Sequence, residues 1–215
     1  MMLSPLGWKE ATVQSEIDFP IPDWVFETLQ KRQFVVKKYM PSGSVGAEIG
    51  VFRGVFSQYI LEIAQPSKLF MVDGWEMLFG ETFGWGKDYT CNGTLPTLVA
   101  KQEAIDRTAE FAERREIITS LSLDFFNSTE LHFDWIYLDA THTYEAVFSE
   151  LVAIHKNGLL YPNGHIIGDD FTADLSKEEY GICSAVNQFC RDYGYEVIHA
   201  SEFSMQWVIR RPQAV

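Results

Sequence analysis

VGAEIGVFRG, residues 45–54, is predicted to form a short apolar strand that runs into a turn containing two glycines. Similar apolar runs recur along the chain, and helical patterns separate them. Because these runs are too apolar to alternate between core and solvent, they are typical of parallel strands buried on both faces. The sequence therefore predicts a doubly wound α/β sheet. The strands are VGAEIGV (45–51), KLFMVD (68–73), REIITS (115–120), FDWIYLD (133–139) and GHIIGD (164–169), with helices at 55–64, 96–113 and 143–157.

The C-terminal part of the chain follows a different pattern. A helix is predicted near 179–193 and ends at Gly194, and strands at 195–201 and 205–211 follow it. The few residues between these strands fit an antiparallel hairpin and not a crossover. We therefore expect a mostly parallel, seven-stranded, Rossmann-like sheet closed by a C-terminal antiparallel hairpin. This layout resembles that of class I methyltransferases, whereas a dinucleotide-binding domain would continue with parallel units.

Two segments do not belong to this alternation. Residues 1–44 are predicted to form an N-terminal arm and a helix that runs from Asp23 to about Tyr39, ahead of a domain at 45–215. Residues 74–95 contain five glycines and are rich in aromatic side chains. A long loop in a compact domain is usually functional or disordered, and this one is too aromatic for disorder, so we interpret it as a lid. Its aromatic residues are Trp75, Phe79, Phe83, Trp85 and Tyr89.

Charge and composition narrow the classes of partner. A formal net charge of −13 over 215 residues argues against nucleic acid and against an anionic membrane surface. The N-terminus has no basic region or sustained apolar run, so a signal peptide is not expected. Cys91, Cys183 and Cys190 show neither metal-ligand spacing nor a disulfide framework. We therefore expect a cytoplasmic protein with reduced thiols.

The first strand and its turn predict a cofactor site. Glu48, Gly50 and Gly54 form the pattern E-x-G-x-x-x-G, in which glycine lets a ligand approach the backbone. Asp73 ends the second strand, where a carboxylate can accept hydrogen bonds from ribose hydroxyls. Ser120 ends the third strand and could touch an adenine edge. These residues favour an adenosine-containing ligand but do not separate NAD from S-adenosylmethionine.

Acidic residues end the fourth and fifth strands. Asp139 follows one strand and is three residues before His142, and Asp169 and Asp170 follow the other. Neighbouring parallel strands bring these ends together, and three carboxylates repel unless a cation lies among them. A divalent ion, Mg²⁺ first and then Mn²⁺ or Ca²⁺, is the expected partner. His142 could act as a general base, or it could simply cap the following helix.

Four motifs resemble a family of small bacterial methyltransferases. They are EIGVFRG together with Ser57, MVDGW, DWIYLDATHTYEAV and GHIIGDDF. This family includes the metal-dependent O-methyltransferases that act on sugars of macrolides such as macrocin and mycinamicin. The resemblance covers about residues 45–171. It implies S-adenosylmethionine contacts at Glu48, Gly50, Gly54, Ser57, Asp73 and Trp75, a base at His142, and metal ligands at Asp139, Asp169 and Asp170.

The expected reaction is methyl transfer from S-adenosylmethionine to a hydroxyl group of a small molecule of the sugar or natural-product type. A chelated metal would acidify the hydroxyl, with Asp139 and His142 as catalytic residues. Two alternatives stay open, an NAD-dependent oxidoreductase and a cofactor-binding module without turnover. The oligomeric state is also open, with a homodimer contact through Trp8, Phe19 and Trp24 as one option.

Overall fold

The computed structural model describes residues 20–75, 88–91, 93–177 and 180–212. Its α-helices are α1 (Asp23–Tyr39), α2 (Val55–Ile63), α3 (Thr97–Arg107), α4 (Ser122–Ser128), α5 (Tyr144–Lys156) and α6 (Tyr180–Tyr193). A 3₁₀ helix at Ala109–Arg114 follows α3. The strands are β1 (Val45–Ile49), β2 (Lys68–Asp73), β3 (Arg115–Thr119), β4 (Phe133–Leu138), β5 (Leu160–Gly168), β6 (Glu196–Ser201) and β7 (Gln206–Arg210).

The seven strands form one sheet in the order β3-β2-β1-β4-β5-β7-β6. Strands β1 to β5 pair in parallel, and β7 is antiparallel to both of its neighbours. The predicted doubly wound α/β sheet with a closing antiparallel hairpin is therefore confirmed. Because β7 lies between β5 and β6, the first strand of the hairpin becomes the edge of the sheet.

Helices cover both faces of the sheet. Helices α1, α2 and α3 pack in one apolar cluster, and α4, α5 and α6 pack in the other. Along β4, Trp135 and Tyr137 belong to the first cluster while Ile136 and Leu138 belong to the second, and all four are buried. Ile136 and Leu138 each contribute about 1.5–3 kcal/mol when they leave water. Burial on both faces explains why the strands are continuously apolar.

Three elements differ from the sequence prediction. Helix α4 was not expected, the helix predicted to reach residue 113 ends at Arg107, and β5 begins at Leu160 with a register shift against β4. Phe111, inside the 3₁₀ helix, has non-helical backbone angles. No helix in the described ranges combines the length and the apolar character needed to span a membrane.

The end of β5 is fixed by the C-terminal strand. Gly168 pairs with Trp207 of β7, and the indole Nε1 of Trp207 donates a hydrogen bond to the carbonyl oxygen of Asp169 at 3.2 Å. Trp207 is fully buried, as expected for a core residue. The hairpin thus supports the backbone at Asp169 and Asp170.

Candidate functional site

The carboxyl edge of the sheet borders a cavity of about 910 Å³. This volume lies within the range of small-molecule sites. Helix α1 forms one wall through Trp24, Leu29 and Arg32, so the segment before the predicted domain takes part in the site. The predicted site residues that line the cavity are Glu48, Gly50, Asp73, Trp75, Ser120, Asp139, His142, Asp169 and Asp170.

The turn between β1 and α2 adopts a left-handed conformation at three positions. Gly50, Phe52 and Gly54 have φ angles of 91°, 49° and 71°. A Cβ atom on Gly50 would lie 2.0 Å from the carbonyl oxygen of Asp139. Glycine is therefore required because this turn passes directly against the chain that leaves β4. The contact places the β1–α2 turn, where the sequence predicts a cofactor, beside the strand ends that carry Asp139, Asp169 and Asp170, which we call the acidic edge.

Two predicted cofactor residues lie behind the cavity wall. Gly54 packs against α3, where an added Cβ would be 2.7 Å from Cα of Ala104. Ser57 is fully buried, and its hydroxyl donates to Oε2 of Glu48 at 2.5 Å. These residues shape and support the wall. Burial raises the pKa of Glu48 to about 8, against the opposing effect of the Ser57 hydrogen bond.

Asp73 and Trp75 hold the same turn from the β2 side. The carboxylate oxygen Oδ2 of Asp73 accepts hydrogen bonds from the backbone N–H groups of Val51 at 2.8 Å and Phe52 at 2.9 Å. The indole of Trp75 donates to the carbonyl oxygen of Phe52 at 2.8 Å. Burial raises the pKa of Asp73, and the backbone hydrogen bonds oppose that rise. Asp73 thus shapes the turn as well as lining the cavity.

Arg32 of α1 reaches the ends of β4 and β5. Its Nη1 atom lies 3.3 Å from Oδ2 of Asp139, and Nη2 donates to Oδ2 of Asp169. The guanidinium also lies 5.0 Å from the ring centroid of Phe56. Burial alone would raise the pKa of Asp139, but Arg32 and His142 outweigh it and hold that pKa below its ordinary value. No motif in the sequence indicates a role for Arg32.

His142 lies between the other carboxylates. Its Nδ1 is 2.6 Å from Oδ2 of Asp170, and its Nε2 is 3.4 Å from Oδ1 of Asp139, outside hydrogen-bonding geometry. Burial lowers the pKa of His142, but the two carboxylates raise it to about 11. The N-cap of α5 is Thr143, whose hydroxyl accepts from the N–H of Ala146 at 3.3 Å. The reading of His142 as a helix cap is therefore wrong.

The carboxylates of Asp139, Asp169 and Asp170 converge as expected, but their arrangement does not fit a metal ion. Arg32 holds Asp139 and Asp169, and His142 holds Asp170. Within the described ranges, no group of three or more His, Cys, Asp or Glu side chains could bind a metal. The expected divalent ion is therefore not shown, and the cation that relieves the repulsion in this structure is a guanidinium from another helix.

The predicted lid lies largely outside the described residues, since positions 76–87 and 92 are not among them. This excludes Phe79, Phe83 and Trp85. Tyr89, which is described, is buried and lines the cavity. Its carbonyl oxygen accepts from Nη1 of Arg53 at 3.1 Å, and Arg53 in turn forms a buried ion pair with Glu103, with Nε 2.6 Å from Oε2.

Several solved structures share this fold at low sequence identity. A protein from Corynebacterium glutamicum is similar with a TM-score of 0.60 and 14% identity, over 94% of each chain. An SAH-bound methyltransferase from Podospora anserina, PaMTH1, has a TM-score of 0.57 and 17% identity over 90% of this chain and 89% of its own. The N-methyltransferase NodS from Bradyrhizobium japonicum WM9 has a TM-score of 0.56 and 15% identity, over 90% of this chain and 100% of its own.

A comparison with curated proteins finds no significant match. Residues 47–171 match the family model described as a methyltransferase domain, and this range is more than half of the chain. It includes the last three residues of β1, the glycine turn that follows, Asp73, and the strand ends that carry Asp139, Asp169 and Asp170. The match favours methyl transfer over the NAD-dependent alternative. Together with the strand order and the antiparallel β7, it shows that the chain belongs to this methyltransferase-domain family and has the fold of class I S-adenosylmethionine-dependent methyltransferases.

Proposed function

We propose that this chain transfers the methyl group of S-adenosylmethionine to a hydroxyl oxygen of a small molecule. The observation that carries the proposal is the pairing of His142 with Asp170 in the cavity wall. Asp170 fixes Nδ1 of the imidazole, while Nε2 is buried and makes no hydrogen bond within the described residues. Nε2 also lies 3.4 Å from Oδ1 of Asp139. A histidine that a carboxylate orients at one nitrogen, and whose other nitrogen makes no hydrogen bond, is suited to accept the proton of a hydroxyl group.

The fold alone does not choose the acceptor atom, because function depends on the site built on a fold. NodS, an N-methyltransferase by name, shares this architecture. The support for oxygen as the acceptor is therefore local. A hydroxyl group must lose its proton as it is methylated, and His142, the proposed base, lines the same cavity as Asp73 and Trp75. A sugar or natural-product hydroxyl is the expected substrate.

The cofactor would lie against the β1–α2 turn. Asp73 at the end of β2 would accept hydrogen bonds from the ribose, and Trp75 and Ser120 line the same part of the cavity. PaMTH1, which has the same fold, was solved with SAH bound. When bound, S-adenosylmethionine supplies a methyl group on a cationic sulfur, whose transfer forms an O–C bond as the C–S bond breaks.

His142 must be neutral before it can take the hydroxyl proton. Its two carboxylate neighbours favour the imidazolium form, so the histidine is protonated at neutral pH in the cofactor-free chain. A second cation in the cavity disfavours that form. We therefore expect cofactor binding to lower the pKa of His142, so that Nε2 releases its proton to solvent. Asp170 would then hold Nδ1 while Nε2 receives the acceptor proton. No step of this mechanism uses a metal ion, since Arg32 occupies the carboxylates that would bind one.

Calorimetry and product analysis test the proposal together. The purified chain should bind S-adenosylmethionine and S-adenosylhomocysteine but not NAD. With a ¹³C-methyl cofactor and matched hydroxy and amino acceptors, the label should appear as an O-methyl ether. A methyl group on nitrogen or carbon would contradict the choice of oxygen, and tight NAD binding without cofactor binding would contradict the whole proposal.

A further inference from the structure

We propose that Arg32 is a built-in cation that replaces a divalent metal at the acidic edge, and that removing it creates a metal site. Applied to turnover, this inference rests on the proposed function and predicts metal-independent methyl transfer. Applied to binding, it stands without any assumption about the reaction. A metal-binding experiment and a turnover experiment can therefore contradict the proposal independently of each other.

Arg32 lies between the chain segments that follow β4 and β5. The side chain is largely buried at 12% exposure, and its two terminal nitrogens contact carboxylates at the ends of two neighbouring strands. A planar guanidinium with two parallel donors matches such carboxylates and stays charged at every accessible pH. Arg32 thus occupies the space between Asp139 and Asp169 that a shared ion would need.

The surroundings of Arg32 keep it there. Its guanidinium lies over the ring of Phe56 and 6.0 Å from the ring centroid of Tyr137, and both rings are buried. Aromatic faces attract a guanidinium, more strongly where water is excluded. A divalent ion that entered this edge would lie close to a fixed positive charge. Metal binding therefore requires Arg32 to leave an aromatic and carboxylate environment at once.

Removal of Arg32 would leave Asp139 and Asp169 without their guanidinium partner. Without the guanidinium, the side chains of Asp139, Asp169 and Asp170 would be free to rotate toward one another from their present positions, and oxygen ligands suit Mg²⁺ and Mn²⁺. One of these oxygens, Oδ1 of Asp169, is already buried and makes no hydrogen bond within the described residues. Backbone at the edge is held firmly, since the N–H of Asp169 bonds to the carbonyl oxygen of Leu138 at 3.1 Å. The variant site would be formed by side chains on fixed strand ends.

The test measures metal binding in the absence of cofactor and acceptor. Wild-type protein should leave the EPR signal of free Mn²⁺ unchanged and should show the same melting temperature with Mn²⁺ as with EDTA. Arg32→Met should melt at a lower temperature in EDTA and recover with Mn²⁺, with a matching loss of free Mn²⁺ signal. Arg32→Met combined with Asp139→Asn should lose this response.

Lys37→Met is the matched control, because Lys37 is an exposed cation on the same helix. It should behave as the wild type does. If Arg32→Met does not fold in EDTA, Arg32→Gln retains donors for the carboxylates and should still gain Mn²⁺ binding. Stoichiometric Mn²⁺ binding by the wild type would overturn the proposal, and so would Arg32 variants that respond no more than Lys37→Met. Loss of wild-type turnover in EDTA would overturn only the prediction that methyl transfer is independent of metal.

Discussion

Oδ2 of Asp170 lies 2.6 Å from Nδ1 of His142, and Asp170 reaches this position with a φ angle of 54°. A left-handed backbone costs energy at a residue other than glycine and often marks a functional site. The strain is located one residue after Asp169, whose side chain contacts Arg32. Adjacent carboxylates are thereby turned toward two different cations. The orientation of His142 thus depends on a backbone conformation as well as on a hydrogen bond.

His142→Gln should lower kcat by about 10²–10⁴, the usual range for a lost general base. Affinity for S-adenosylmethionine should change little, because the proposed role of His142 is toward the acceptor. Thr143→Ala is the control. It removes the α5 cap at a cost of about 1 kcal/mol but should keep turnover. Kinetics and thermal melting of both variants measure these effects. A fully active His142→Gln enzyme would show that His142 is not the general base.

Asp73→Ala should weaken S-adenosylmethionine binding by about 1.5–3 kcal/mol and also loosen the β1–α2 turn. Asp73→Asn keeps one oxygen that can accept from Val51 and Phe52, so it should preserve the turn better. Calorimetry gives the affinities and melting gives the stabilities. If Asp73→Asn had the cofactor affinity and the thermal stability of the wild type, the negative charge of Asp73 would have no role in cofactor binding.

Glu48→Gln should flatten the dependence of stability on pH. Burial raises the pKa of Glu48 to about 8 from an ordinary value near 4.5, so the folded state binds the extra proton between these values. The wild type therefore loses stability as pH rises through this window, by at most about 1.4 kcal/mol per pH unit. Denaturant unfolding of both proteins across the window checks the slope. Glu130→Gln, at an exposed position, should keep the wild-type slope, and identical slopes for Glu48→Gln would show that Glu48 ionises freely.

Gly50→Ala should destabilise the fold more than Gly43→Ala does. Both glycines have positive φ angles, of 91° and 76°, so both substitutions introduce about 1–2 kcal/mol of backbone strain. Only the Cβ at position 50 would also meet the carbonyl oxygen of Asp139, since nothing lies within 4 Å at position 43. The difference between their unfolding free energies isolates the contact. Equal losses of unfolding free energy in the two variants would mean that the β1–α2 turn moves away from Asp139 without an energetic cost.

Most of the sheet could be predicted because its strands are buried on both faces. Ile136 and Leu138 on one side, and Trp135 and Tyr137 on the other, leave a continuous apolar run that a sequence shows directly. Helix α4 could not be predicted in the same way. Its seven residues, SLDFFNS, are too few to display a helical period, and only the two phenylalanines are buried.

The site could be predicted only where it follows strand ends. Asp73, Asp139 and Asp169 were found because parallel strands bring their carboxyl ends to one edge. Arg32 was missed because it lies 107 residues before Asp139 and belongs to no motif. A signal was nevertheless present. Val25, Leu29, Arg32 and Val36 have the spacing of one helix face, and a cation on an apolar stripe needs a buried partner.

The position of β7 has a consequence for biosynthesis. Trp207 secures the carbonyl of Asp169 from a strand that is translated about forty residues later, so this edge stays incomplete until Gln206–Arg210 has left the ribosome. Strands β1 to β4 and their helices can assemble earlier, because their partners are already translated. The nascent chain thus carries the β1–α2 turn before it can hold Asp169 and Asp170 in place, and the proposed activity would be acquired only after translation of the hairpin.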